Sequence, residues 1–138
     1  MMPDTTTEKH WAYDLVGTPW TPEFDCWEFA RRVFLDRYGI ALPEQAAGVL
    51  ILAGAAHSTG LRPVDGDEGQ EGDLVLMRAS TGKRHVGVMI HANGKLGVLH
   101  NDGHLSPTGP VGCVSFATLR NLREQGCGAF QFWRRAPA

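Results

Sequence analysis

The dipeptide Asn93-Gly94 constrains this chain more than any other pair of residues in it. Asn and Gly both tolerate positive φ, which a two-residue hairpin turn demands, so the stretches on either side must run antiparallel. One is His85-Val86-Gly87-Val88-Met89-Ile90 and the other Gly97-Val98-Leu99-His100. Leu74-Val75-Leu76-Met77 reads as the strand before this hairpin, joined through Thr81-Gly82-Lys83. Asn101-Asp102-Gly103 is expected to end the third strand. Residues 111–116 and 129–133 read as further strands around a short helix at 117–125. The sum is an antiparallel sheet of about five strands.

Before Gly72 the apolar spacing is helical. Phe29 and Val33 recur at helical intervals after Asp25, a good N-cap, with Glu28 where a capping-box acid belongs. This helix should end near Tyr38, with Gly39 as its C′ residue, while Arg31 and Arg32 face water. A short helix is expected over 10–16 and a second, Ala- and Leu-rich one over 44–56. The Gly-rich acidic segment 60–72 reads as a surface loop and residues 1–8 as a loose N-terminal segment. Helices first and a meander afterwards make 1–138 a single α+β domain.

Cys26 falls in the first turn of the helix that Asp25 caps. Unpaired N–H groups and the positive end of the helix dipole favour thiolate there, and the thiolate is the nucleophile. A thiol of this kind needs a base, which histidine supplies best near neutral pH, and a third polar group to fix the base's tautomer. His85 opens one strand of the hairpin and His100 closes the other, so the turn between them brings the two together. His10 and His57 read as surface residues, and His91 as facing away from His85. His104 and Asn101 remain alternatives to His100 as the orienting group. Cys26, His85, His100 and His104 could also be considered as zinc ligands, but no pair has CxxC or HxxxH spacing, and neither metal nor cofactor is expected.

A net charge of −2 without basic clusters leaves no footprint for nucleic acid. The longest apolar run, 46–56, is too short to span a bilayer, and the N-terminus has no apolar signal core. Synthesis in the cytoplasm is therefore expected. Three widely spaced cysteines fit a reducing compartment, although a Cys113–Cys127 bridge is allowed.

With these residues in order, the chain resembles the NlpC/P60 family of papain-like cysteine peptidases, and within it the phage-tail and prophage branch. The likeness rests on Gly17-Thr18-Pro19-Trp20, on Phe24-Asp25-Cys26-Trp27-Glu28-Phe29, on Gly72-Asp73-Leu74-Val75-Leu76-Met77, on His85-Val86-Gly87-Val88 and on Val98-Leu99-His100-Asn101. It implies Cys26 as nucleophile, His85 as base and His100 as the residue that orients it. Asp25, Trp20 and Trp27 would line the substrate groove, Trp20 in place of the usual Tyr and Trp27 in place of the Ser found in wall-remodelling members. The implied reaction is hydrolysis of peptidoglycan stem peptides, typically between D-Glu and diaminopimelate, with possible phage tail-tip partners and a virion or cell-wall destination. Two other uses of the same fold are a non-catalytic tail-tip assembly or binding protein, and an acyltransferase that passes the acyl group to an amine.

Overall fold

The computed structural model describes residues 10–44, 59–66 and 69–135. The helix expected over 44–56 lies almost wholly outside them, as do residues 1–8. The first long element is α1 (Cys26–Tyr38). Asp25 caps it, with Oδ1 accepting from the N–H groups of Trp27 and Glu28 at 3.1 and 3.0 Å. Glu28 does not complete a capping box, because its carboxylate is taken by Arg31 Nη1 at 2.7 and 2.8 Å. Arg31 also donates from Nε to Leu42 O, so it lies along the surface rather than in water. Gly39, at φ 66°, ends the helix: its N–H goes to Leu35 O and that of Ile40 to Phe34 O, a Schellman closure.

The sheet has six strands: β1 (Leu61–Val64), β2 (Leu74–Arg78), β3 (Arg84–Ala92), β4 (Lys95–Ser106), β5 (Gly109–Ala117) and β6 (Gly128–Arg135). They stand in the order β1-β6-β2-β3-β4-β5, and every neighbouring pair is antiparallel. The Asn93-Gly94 turn joins β3 to β4 as expected, with both residues at positive φ (53° and 76°). A short helix, α2 (Leu119–Glu124), separates β5 from β6.

Three expectations are corrected. The strand beyond the anticipated five is β1, cut from the segment read as a surface loop. Leu61 is buried in the core, and Pro63 is tolerated because the strand lies at the sheet edge. β4 does not stop at Asn101-Asp102-Gly103 but runs on to Ser106, because β5 pairs with it residue for residue as far as Ser106↔Gly109. The helix expected over 10–16 is a single 3₁₀ turn, Trp11–Asp14, whose first free N–H is taken by His10 Nδ1.

Alternation along the strands divides the core. Leu74, Leu76, Val88 and Leu99 join Trp27, Phe29, Ala30, Val33 and Phe34 of α1 on one side. Val75, Met77, Met89, Val98 and Phe132 join Leu122 of α2 on the other. Both faces of the central strands are thus covered, which is why β2 and β3 read as nearly continuous apolar runs. Among the described residues no helix is long and apolar enough to cross a membrane.

Two polar devices fix what surrounds the site. Asp73, fully buried, holds Arg134 of β6 through two bonds of 2.7 Å and also accepts the Gln70 N–H at 2.8 Å. Residues 17–20 add themselves to the β5 edge: Gly17 N–H to Val114 O, Val114 N–H to Thr18 O and Trp20 N–H to Gly112 O. That pairing carries the chain across the β4–β5 arm and delivers it to the start of α1.

Candidate active site

Cys26 is the first residue of α1, partly exposed and lining a cleft of about 770 Å³. Trp20, Asp25, Lys83, His85, Asp102 and Cys127 are among the other residues of its wall. The sulfur sits beside the start of β3, since backbone hydrogen bonding from Val86, the residue after His85, acts on it together with the N–H groups of Trp27 and Cys26. These donors favour thiolate, as helix-start reasoning anticipates. Burial opposes them and is stronger, with Asp25 adding repulsion, and the thiol is pushed up to about 11. The helix terminus alone therefore does not ionise this cysteine.

His85 and His100 meet. His85 Nε2 lies 2.7 Å from His100 Nδ1, with the rings near perpendicular at 79°. The β3–β4 pairing runs as far as Val88↔Leu99, and the two histidines meet just beyond it, at the outer ends of the hairpin strands. Gly87 makes the approach possible, because a Cβ there would stand 3.0 Å from His100 Cβ and 2.4 Å from Val98 Cγ1. Burial lowers the pKa of both rings. His85 lies below 6.5 despite an opposing pull from Asp102, and His100 falls to about 4 because the neighbouring His85 adds to its burial. Both are neutral at pH 7, so one hydrogen lies between them and each ring carries one proton.

His100 Nε2 faces Ser115 Oγ at 3.4 Å, across the β4–β5 pair His100↔Ser115. With the His100 proton on Nε2 toward Ser115, Nδ1 is an acceptor and His85 donates from Nε2. His85 Nδ1 is then unprotonated and able to take a proton.

Two members of this group escape a reading of the sequence. Ser115 looks like an ordinary strand residue until the β4–β5 register sets it opposite His100. Asp102 looks like part of a turn, yet its carboxylate lies within 4.8 Å of both imidazoles. Of the alternatives to His100, Asn101 is buried and ties its Nδ2 to Phe24 O at 2.7 Å, which anchors the approach to Asp25 and Cys26. Its Oδ1 has no hydrogen-bond partner. His104 is exposed on the cleft wall, and the ring that bonds His85 is His100.

The groove residues separate. Trp20 and Asp25 line the cleft. Trp20 packs against Gly103, where a Cβ would come within 2.4 Å of its side chain. Trp27 does not reach the groove: it is 3% exposed, in the core, with Nε1 donating to Pro43 O at 2.7 Å. Its side chain leaves α1 on the packed face, so a substrate contact from it is corrected to a core role. All three cysteines are free, so the Cys113–Cys127 bridge is not formed.

Among the described residues, the group with metal-ligand spacing is His85, His100 and Asp102, not the set that included Cys26 and His104. The bond between the imidazoles already uses one nitrogen of each ring. The hydrogen-bonded histidine pair opens, through His85, on the same cleft as Cys26.

The family model for NlpC/P60 matches residues 10–119, a span that contains Cys26, His85, His100 and Ser115. The chain belongs to the NlpC/P60 family. This family consists mainly of cysteine peptidases that act on peptidoglycan, and its papain-like fold agrees with the helix and antiparallel sheet found here. No curated protein gives a significant match to the chain.

Proposed function

We infer that this NlpC/P60 domain is a cysteine peptidase that hydrolyses peptidoglycan stem peptides, between D-Glu and diaminopimelate. Cys26 is the nucleophile, His85 the general base and His100 the group that orients it. The 2.7 Å bond between His85 Nε2 and His100 Nδ1 carries the reading, since with His85 as its donor the His85 Nδ1 lone pair is free to take a proton.

With the thiol near 11 and His85 below its ordinary value, the resting pair is thiol and imidazole, not an ion pair. The Cys26 proton passes to His85 Nδ1 as sulfur attacks the scissile carbonyl, and Asp102 stabilises the imidazolium that forms. The Asp25 cap accepts from Trp27 and Glu28 and leaves the Cys26 N–H to face the developing oxyanion. His85 returns its proton to the leaving amine, a thioacyl enzyme remains, and water releases the acid with His85 again as base. Association with a phage tail or prophage particle belongs to the same proposal and is supported by the motif likeness alone.

The test is mass spectrometry of the products from a panel of murein stem peptides, incubated with wild type, Cys26→Ala and His85→Ala. Release of the diaminopimelate-containing fragment should fall by about 10²-fold or more in both variants. Equal digestion by wild type and Cys26→Ala would sink the assignment.

A further inference from the structure

The hydrogen-bonded relay of His85 and His100 is also two-thirds of a metal-ligand set. A nitrogen of each ring and a carboxylate oxygen of Asp102 lie within 4.8 Å of one another. Two imidazoles and a carboxylate are what zinc takes in tetrahedral sites that keep their fourth position open. In the resting pair the space between the rings is held by the hydrogen of the 2.7 Å bond. Two nitrogens on one zinc stand roughly 3.3 Å apart when each bond is about 2.0–2.1 Å, so the rings must separate by about 0.6 Å. That movement falls to half-buried His85, because His100 is buried, and Asp102 is exposed and can turn toward them. His85 and Asp102 both line the Cys26 cleft, which gives the cation a path from solvent. A ligating histidine also needs a partner for its other nitrogen, and His100 Nε2 faces Ser115 Oγ at 3.4 Å.

We propose that zinc binds between His85 Nε2 and His100 Nδ1, with Asp102 as third ligand, and that it reversibly blocks the site. The protons account for the block. Before binding, His85 carries its hydrogen on Nε2 and keeps the Nδ1 lone pair free. Zinc takes the Nε2 lone pair, so the hydrogen moves to Nδ1 and the number of protons on the two rings is unchanged. His85 then has no lone pair with which to accept the Cys26 proton. Binding depends on the three side chains alone, whereas the block rests on the peptidase reading, in which His85 is the base. Magnesium and calcium call for oxygen ligands, which this set does not supply in number.

Binding is measured apart from activity. Zinc chloride is titrated by calorimetry into the 138-residue Cys26→Ala chain, which removes the cleft thiol as a competing ligand. One zinc per chain should bind and magnesium should not. His100→Gln and Asp102→Asn, each in the same background, should weaken binding about tenfold or more. Circular dichroism and thermal unfolding establish that each variant is folded. Long-range proton–nitrogen NMR spectra of the histidines should show the His85 hydrogen moving from Nε2 to Nδ1 as zinc is added. Absence of saturable binding overturns the proposal, as does an affinity that survives both variants or a His85 tautomer that does not change at saturation. In wild type, stem-peptide hydrolysis should stop at saturating zinc and return with EDTA, and hydrolysis that continues overturns the block. If wild type cleaves no stem peptide without zinc, the peptidase reading fails and the block with it, while the calorimetry still decides the zinc site.

Discussion

At the scale of single residues, the chemistry is set by a competition that burial wins. The N–H groups of Val86, Trp27 and Cys26 pull the thiol toward ionisation, yet it is pushed up to about 11. His85 is moved the other way, below 6.5. A base must be unprotonated to accept a proton, so lowering its pKa extends the active range toward acid. For peptide hydrolysis, kcat/KM should rise with pH along a limb that lies below 6.5, and no limb should appear near 8.5, where an ordinary cysteine titrates. A limb at 8.5 would show that the free thiolate, not the Cys26–His85 pair, is the reacting form. Gly87 is the second residue on which the site depends. In G87A the new methyl must displace Val98 or His100, which overpacks the β3–β4 face and should cost roughly 1–3 kcal/mol in urea unfolding. Because the His100 Cβ is among the atoms in the way, activity should fall further than stability does. A folded G87A protein with wild-type kcat would refute the assignment of this glycine to histidine positioning.

At the scale of elements, the start of α1 carries two tasks that one residue serves. Asp25 caps the helix through two N–H groups and also raises the pKa of Cys26 by repulsion. Asp25→Ala should lose about 0.5–2 kcal/mol of stability with the cap. Asp25→Asn keeps a capping oxygen and removes the charge, so it should leave the unfolding midpoint nearly unchanged while alkylation of Cys26 by iodoacetamide becomes faster at pH 8. If the two variants are equally destabilised, the cap and the charge are not separable in this way. This element was legible in the sequence because cap, apolar spacing and terminal glycine all agree. The β3–β4 hairpin was legible for the same reason, and with it the meeting of His85 and His100. What escaped depends on pairing that no local pattern encodes. Leu61-Arg62-Pro63-Val64 becomes a strand only because β6 offers it an edge, and Ser115 joins the relay only through the register of β5 against β4. Trp27 misled for a related reason: its place next to Cys26 in sequence says nothing of the 100° turn that sends its side chain into the core.

At the scale of the whole molecule, the relay is part of the fold's stability as well as of its chemistry. His100 is 3% exposed and titrates near 4 in the folded state against 6.5 when solvated. Between those values the unfolded chain binds the proton and the native one does not, so lowering the pH through this window favours unfolding. The loss begins as pH falls below 6.5 and is complete near 4, below which both states are protonated. Two to three pH units of difference correspond to about 3 kcal/mol. His85, half-buried and shifted in the same direction, adds to the slope. That is a large share of the roughly 5–15 kcal/mol that holds a domain together. Urea unfolding at pH 7 and at pH 4.5 should therefore show a marked fall in midpoint with little change in m-value. In His100→Gln the fall should be much smaller, whatever its absolute stability, because the neutral side chain cannot take up the proton. The full acid loss persisting in His100→Gln would assign it to the carboxylates, and the histidine pair would then have no part in the pH limit of the fold.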